Sequence, residues 1–208
     1  MLDMEKYNRI QHFNYFSTLA HPYVGVTVEV DITRFMVKIR QKGYPFFLSF
    51  LYIMGNAANS VPQLRQRIYG GSRIIEYDEC PSSVTVLKAD ESFVYCDIHT
   101  QTPFEDYLIR AKKDQEAAKS EGTIDNVTNE EMELSRFFIS STPWFSYTSI
   151  IQPTPDPADS NPRITWGKFF EREGKTLIPV SILVHHALVD GVHLGKFYEK
   201  LNGLLQEL

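Results

Sequence analysis

Hydrophobic and polar positions along the chain change period several times, and each change marks an element. Between Arg9 and Phe16, Ile10, Phe13 and Phe16 recur at near-helical spacing with polar residues between them, which predicts a short helix stopped by His21-Pro22. From Val24 to Ile32 the period becomes two: Val26, Val28 and Val30 alternate with Thr27 and Glu29, the pattern of a half-buried strand. Asp31 or Thr33 can cap a helix over Arg34 to Gln41 that Gly43 closes. Pro45 then opens a helix whose broad apolar face, Phe46, Phe47, Phe50, Leu51, Met54 and Ala58, predicts burial.

After Pro62 the pattern shortens into strands over Arg73 to Tyr77, Ser83 to Leu87 and Phe93 to Asp97, separated by turn-rich segments and read as a meander. Pro103 to Lys119 has helical composition, and Glu121 to Glu133 is a polar, acidic connector. Strands are predicted over Phe137 to Ser141, Phe145 to Ile151, Ile164 to Glu171 and Leu177 to His185, the last two joined by the hairpin signal Glu173-Gly174. The proline-rich stretch Gln152 to Pro162 is a surface loop, and Asp190 to Leu208 is an amphipathic helix with Leu194, Phe197, Leu201, Leu204 and Leu205 on one stripe. Strands are joined by hairpins as often as by helical crossovers. The fold class expected is therefore α/β, a two-layer mixed β-sheet with helices on one face, rather than a doubly wound parallel sheet.

The 208 residues, 43% hydrophobic and 23% charged, are enough for a large core and are read as a single domain, 1–208. A formal charge of −5 with no Lys/Arg cluster argues against a nucleic-acid partner. The longest apolar stretch, Pro45 to Met54, is interrupted and too short for a bilayer, and Met1 to Ile10 has no apolar signal core, so no membrane partner and a cytoplasmic location are expected. Cys80 and Cys96 lack metal-ligand or framework spacing, and no metal is expected. Asn126-Val127-Thr128 is a glycosylation sequon without a secretory route, and Gly174-Lys175-Thr176 lacks the first glycine of a phosphate loop.

Chemistry concentrates where the apolar run ending at Val184 breaks into His185, His186, Ala187, Leu188, Val189, Asp190 and Gly191. Imidazole can take up a proton near pH 7, and neighbouring strand residues point to opposite faces, so one of the two histidines faces a cleft. Asp190 before a helix also reads as an N-cap.

The string His185-His186-x-x-x-Asp190-Gly191 resembles the H-H-x-x-x-D-G signature of the chloramphenicol acetyltransferase and dihydrolipoyl acyltransferase superfamily. Pro143-Trp144-Phe145-Ser146-Tyr147-Thr148-Ser149 is similar to the P-W-x-S-F-T-S segment of chloramphenicol acetyltransferases. Pro162 to Phe169 is similar to their P-x-x-T-x-G-K-Y, and Arg9-Ile10-Gln11-His12-Phe13 to their R-x-x-H-F helix.

The resemblance implies a CoA-dependent O-acetyltransferase in which His186 is the general base toward an acceptor hydroxyl. Ser149 would stabilise the oxyanion, and Thr165 would act through a water near it. Asp190 and Arg9 would form an ion pair beside the histidine, Lys168 and Phe169 would approach the coenzyme, and Tyr23 would be a pocket aromatic. Phe169 stands where the family has tyrosine. It further implies acetyl-CoA as co-substrate, a small hydroxylated acceptor, antibiotic resistance as a role, and a homotrimer with active sites at subunit interfaces. The rivals are an acyltransferase for a different alcohol or thiol, such as the dihydrolipoyl class with its lipoyl domain and linker, and an idle trimeric small-molecule binder. Because Asp78 to Phe104 and Gln152 to Pro162 depart from the family pattern, altered acceptor choice and poor use of chloramphenicol are expected.

Overall fold

The computed structural model describes residues 1–121 and 134–208. The sequon and the connector beyond Glu121 lie outside the described residues. The elements in chain order are α1 (Ile10–Phe16), β1 (Tyr23–Asp31), α2 (Thr33–Lys42), α3 (Phe46–Asn59), a 3-10 turn (Pro62–Arg65), β2 (Gln66–Tyr69), β3 (Arg73–Glu76), β4 (Ser82–Leu87), β5 (Phe93–Ile98), α4 (Phe104–Glu121), β6 (Phe137–Thr142), β7 (Arg163–Gly167), β8 (Phe170–Arg172), β9 (Lys175–His185) and α5 (Gly191–Glu207). Gly43, at φ +67°, ends α2 as its left-handed cap, a conformation glycine adopts without steric cost. Glu173 and Gly174, both at positive φ, make the tight turn from β8 to β9.

One mixed sheet runs β1-β9-β7-β6-β4-β5, with β8 as a short extra partner of β9. The pairs β4/β6 and β6/β7 are parallel; β1/β9, β7/β9 and β4/β5 are antiparallel. Strand β9 is buried along nearly its whole length because its two faces meet different layers. Ile178, Val180, Ile182 and Val184 join the hydrophobic core, and α5 reaches this face, where Tyr198 donates a hydrogen bond to the Val180 carbonyl at 2.8 Å. Phe47 and Phe50 of α3 pack on Trp166 of β7, with ring centroids 5.6 and 5.2 Å apart. The opposite face carries a row of hydroxyls instead. Thr27, Ser181, Thr165 and Ser140 are successive cross-strand partners of β1, β9, β7 and β6, hydrogen-bonded in pairs: Thr27 Oγ1 to Ser181 Oγ at 2.7 Å and Ser140 Oγ to Thr165 Oγ1 at 3.0 Å.

Three sequence expectations are corrected. The predicted meander does not form: β3 pairs with β2 in a separate two-stranded sheet, and of the meander's three strands only β4 and β5 pair with each other, within the large one. Strand β2 escapes the hydrophobic pattern because it contains Arg67, which is fully buried. Its guanidinium is satisfied by the backbone carbonyls of Leu64, Gln66, Leu134 and Arg136. Phe145 to Ile151 is no strand: its neighbours in sequence, β6 and β7, are each flanked on both sides and offer it no edge, and Ile151 is 98% exposed. The strand predicted over Ile164 to Glu171 breaks after Gly167. There a Cβ would lie 2.9 Å from both Pro179 Cγ and Tyr147 Cε1, and Lys168 N–H turns aside to the Phe145 carbonyl at 2.9 Å.

Candidate active site

Two groups of side chains are assembled, and the first lies where β9 ends. His186 N–H donates to the Pro22 carbonyl at 2.7 Å, and the following turn is closed by Leu188 and Val189 N–H to the His185 carbonyl. This folds His186 Nδ1 back to 3.0 Å from the Val189 carbonyl and 3.1 Å from Asp190 Oδ1. With two oxygen acceptors beside it, Nδ1 carries the proton, which leaves the Nε2 lone pair free to accept another. Phe16 of α1 stacks on the ring, centroids 3.8 Å apart at 16°, a contact that sequence reasoning missed.

Arg9, the residue that opens α1, pairs with Asp190 Oδ2, and its Nη2 also donates to the His186 carbonyl at 3.4 Å. The Arg9 hydrogen bond holds the Asp190 carboxyl below the ordinary carboxylate range. Asp190 is the N-cap residue of α5, but its side chain is committed to Arg9 and His186, while its N–H donates to His193 Nδ1 at 2.9 Å.

His185 is placed differently. It is 4% exposed, lies edge-on to Tyr23 at 5.8 Å, and its Nδ1 accepts from Ala187 N–H at 3.3 Å. Desolvation pushes its pKa down to about 4, so it is neutral at pH 7.

The second group lies on the hydroxyl-bearing face. Ser140 lines a cavity of about 540 Å³ whose walls include Thr85, Tyr95, Phe138 and Arg163, and it contacts Thr165 behind it. Tyr147 fixes the crossover segment over this face, donating to the Thr165 carbonyl at 2.9 Å. Ser149 is exposed and lies in a separate, smaller cavity with Thr27 and Ser181, without a hydrogen bond among the described residues. Ser140, not Ser149, is thus the serine brought to Thr165. Its signal in the sequence was its alternation with Ile139 in a predicted strand, which puts it opposite the core.

Tyr23 is not in the large cavity's lining but donates to Asp159 Oδ1 at 3.1 Å, and Asp159 does line it. Lys168 is exposed at the break after β7, and Phe169 packs on Phe46 at 5.7 Å. The two segments that depart from the family pattern converge on this one cavity, Phe93 and Tyr95 from the first and Gln152, Pro153 and Asp159 from the second.

The two groups do not meet within one chain. Thr165 is opposite Ser181, and His185 lies four residues farther along β9, about 13 Å at the strand rise. Hydrogen-bond reach for a general base is about 3 Å.

A sheet of this topology under a helical layer is the fold of the CoA-dependent acyltransferases. A truncated catalytic core of a 2-oxoacid dehydrogenase multienzyme complex from Thermoplasma acidophilum superposes with a TM-score of 0.68 at 18% identity, covering 100% of this chain and 98% of that one. A solved chloramphenicol acetyltransferase superposes with a TM-score of 0.89 at 28% identity, covering 98% of both chains. The chloramphenicol acetyltransferase family profile matches residues 1–202, and the chain belongs to that family. Similar relatives are the chloramphenicol acetyltransferases of Bacillus pumilus, 28% identical with 97% of this chain and 91% of that one covered, and of Escherichia coli, 26% identical with 99% and 93% covered.

Proposed function

We propose that the protein is a CoA-dependent O-acetyltransferase that moves the acetyl group of acetyl-CoA to a hydroxyl of chloramphenicol or a closely similar small molecule. The observation that carries this reading is the family match over residues 1–202, joined to a histidine whose Nδ1 is occupied and whose Nε2 makes no hydrogen bond among the described residues. The same full-length match favours chloramphenicol over the different acceptor or idle binder weighed from the sequence, and over its poor use. In this reading His186 Nε2 removes the acceptor's hydroxyl proton as its oxygen attacks the thioester carbonyl. Hydroxyls on the Ser140–Thr165 face donate to the oxyanion. Collapse expels the CoA sulfur, which takes the proton back from His186. Lys168 and Phe169 are assigned to the coenzyme by resemblance, and Tyr23 acts on the acceptor cavity through Asp159. No metal enters these steps, and we read the chain as one domain working in the cytoplasm. Among the described residues no helix is long and apolar enough to cross a membrane. Purified protein with acetyl-CoA and chloramphenicol should release free CoA thiol and acetylated product in equal amounts; thiol release without product refutes the reading.

Because His186 and the Ser140–Thr165 pair are too far apart in one chain, the reading includes a homotrimer in which one subunit lends the histidine to its neighbour's cavity. Mixed trimers refolded from equal amounts of His186→Ala and Ser140→Ala chains should recover about one quarter of wild-type activity, since one site in four then joins an intact histidine to an intact serine. Mixtures no more active than either parent would place both residues in one subunit.

The Arg9–Asp190 pair supports the histidine rather than moving protons. Arg9→Ala and Asp190→Asn should each lower thermal stability, and the double variant should lose less than the sum of the singles. With side chains 11% and 27% exposed, each single loss should fall between the roughly 1 kcal/mol of an exposed pair and the 3 to 5 kcal/mol, approximately, of a buried one. Asp190 has a depressed carboxyl pKa, so its contribution is present above the ordinary carboxylate value and is lost as pH falls through the lower, folded one. Strictly additive losses would show that the two do not act as partners.

A further inference from the structure

The large cavity carries polar groups that the transfer chemistry does not use. Asp159 and Arg163 are the charged residues in its lining. They form a bidentate pair, Nη1 to Oδ1 and Nη2 to Oδ2, both 2.7 Å. Nη1 also donates to the Asn161 carbonyl at 3.2 Å, and the guanidinium lies 5.3 Å over the Phe138 ring. Tyr23 donates to the same carboxylate at 3.1 Å. The carboxylate is therefore held from two sides, whereas the guanidinium is not exhausted. A planar guanidinium has five N–H donors, and Nε–H and one Nη2 proton of Arg163 have no acceptor among the described residues. Ser83, in the same lining, is 2% exposed, and its Oγ makes no hydrogen bond among the described residues. A buried polar atom left without a partner is costly, and such atoms call for a ligand or a water.

Arg163 and Ser83 flank one residue: in the register of the sheet, Phe138 stands opposite both. Arg163 also occupies one of the positions that the P-x-x-T-x-G-K-Y pattern leaves free. Its charge is neutralised within the protein, so a formally charged ligand would find no unpaired counter-charge, whereas a neutral oxygen would find open donors.

Resting on the reading that this cavity holds the acceptor, we propose that Arg163 and Ser83 are specificity-determining residues. They select an uncharged hydroxylated molecule that carries a hydrogen-bond-accepting oxygen away from the hydroxyl to be acetylated. Asp159 is the positioning residue that keeps Arg163 planar and charge-balanced. Chloramphenicol, with its nitro and amide oxygens and no formal charge, is the probe.

The charge-neutral double variant Arg163→Met/Asp159→Asn should raise the KM and Kd for chloramphenicol at least about 10-fold, the order expected when a site built to hydrogen-bond its ligand loses a donor. The KM for acetyl-CoA should stay within about 2-fold, because a merely structural loss would weaken both substrates together. Ser83→Ala should raise the chloramphenicol KM by a smaller factor. Should the double variant fail to fold, Arg163→Lys carries the test: it keeps the charge, loses the planar fork, and should still weaken chloramphenicol at least about 3-fold. An unchanged chloramphenicol Kd, or parallel rises in both KM values, overturns the proposal, as does wild-type protein that acetylates other hydroxylated compounds without binding chloramphenicol. Calorimetric binding without acetylation would instead sink the reaction while the Kd series still judges the pocket.

Discussion

Replacing His186 by alanine is expected to lower kcat for acetyl transfer by at least about 100-fold, the lower range for removing a general base. His185→Ala should retain most of its activity and lose stability instead. The adjacent histidines differ in what surrounds them. His186 is partly exposed, stacked on Phe16, and held by Val189 and Asp190 through Nδ1, so its other nitrogen is available to a substrate. His185 is buried beside Tyr23, with its Nδ1 already accepting a backbone N–H.

Burial also gives His185 a signature in the pH dependence of stability. His185 has a folded pKa pushed down to about 4 by desolvation, against an ordinary value of 6.5. The unfolded chain thus binds the extra proton first, and stability should fall as pH drops from about 6.5 toward 4. His185→Ala should reduce that slope, leaving the part contributed by His193, whose pKa desolvation also lowers. Steady-state kinetics and thermal melts across this range read both effects. Comparable losses of kcat in the two variants would contradict the assignment of the base.

How much of this was legible beforehand depended on whether the deciding interaction was local. The left-handed cap at Gly43, the turn at Glu173-Gly174 and the stripe of α5 are set by neighbours within a few residues, and each formed where period and turn chemistry put it. The pairing of Arg9 with Asp190 joins residues 181 apart; only resemblance to a family brought them together, because no periodicity reaches across the chain. Phe145 to Ile151 misled for the opposite reason. Its aromatic and β-branched composition suits a strand, yet the adjoining β6 and β7 have no open edge to pair with it, and sheet order is a global property that composition does not encode. Arg67 shows the same limit in the core. A guanidinium reads as a surface group until four backbone carbonyls, two from its own neighbours and two from the distant segment before β6, close around it.

The serine proposed for the oxyanion is the sharpest divergence between motif and geometry, and it yields the second large effect. Ser149 ends a segment that matches the family well, but in the structure it is exposed and opens onto a small cavity beside β1. Ser140 sits in the middle of the sheet, its Oγ 3.0 Å from Thr165 Oγ1, in the wall of the large cavity. An oxyanion donor works because it is fixed before charge develops, and a strand residue registered against Thr165 of β7 is held more rigidly than one in an exposed crossover. Ser140→Ala should therefore lower kcat about 100-fold or more with little change in either KM, since the lost hydrogen bond strengthens only in the transition state. Thr165→Ala, which removes the partner that orients Ser140, should lower kcat by a smaller factor in the same direction. Ser149→Ala should cost less than Ser140→Ala, whichever substrate is varied. If Ser149→Ala instead carries the 100-fold loss and Ser140→Ala stays near wild type, the motif was the better guide. The crossover segment would then have to move onto the large cavity when substrates bind.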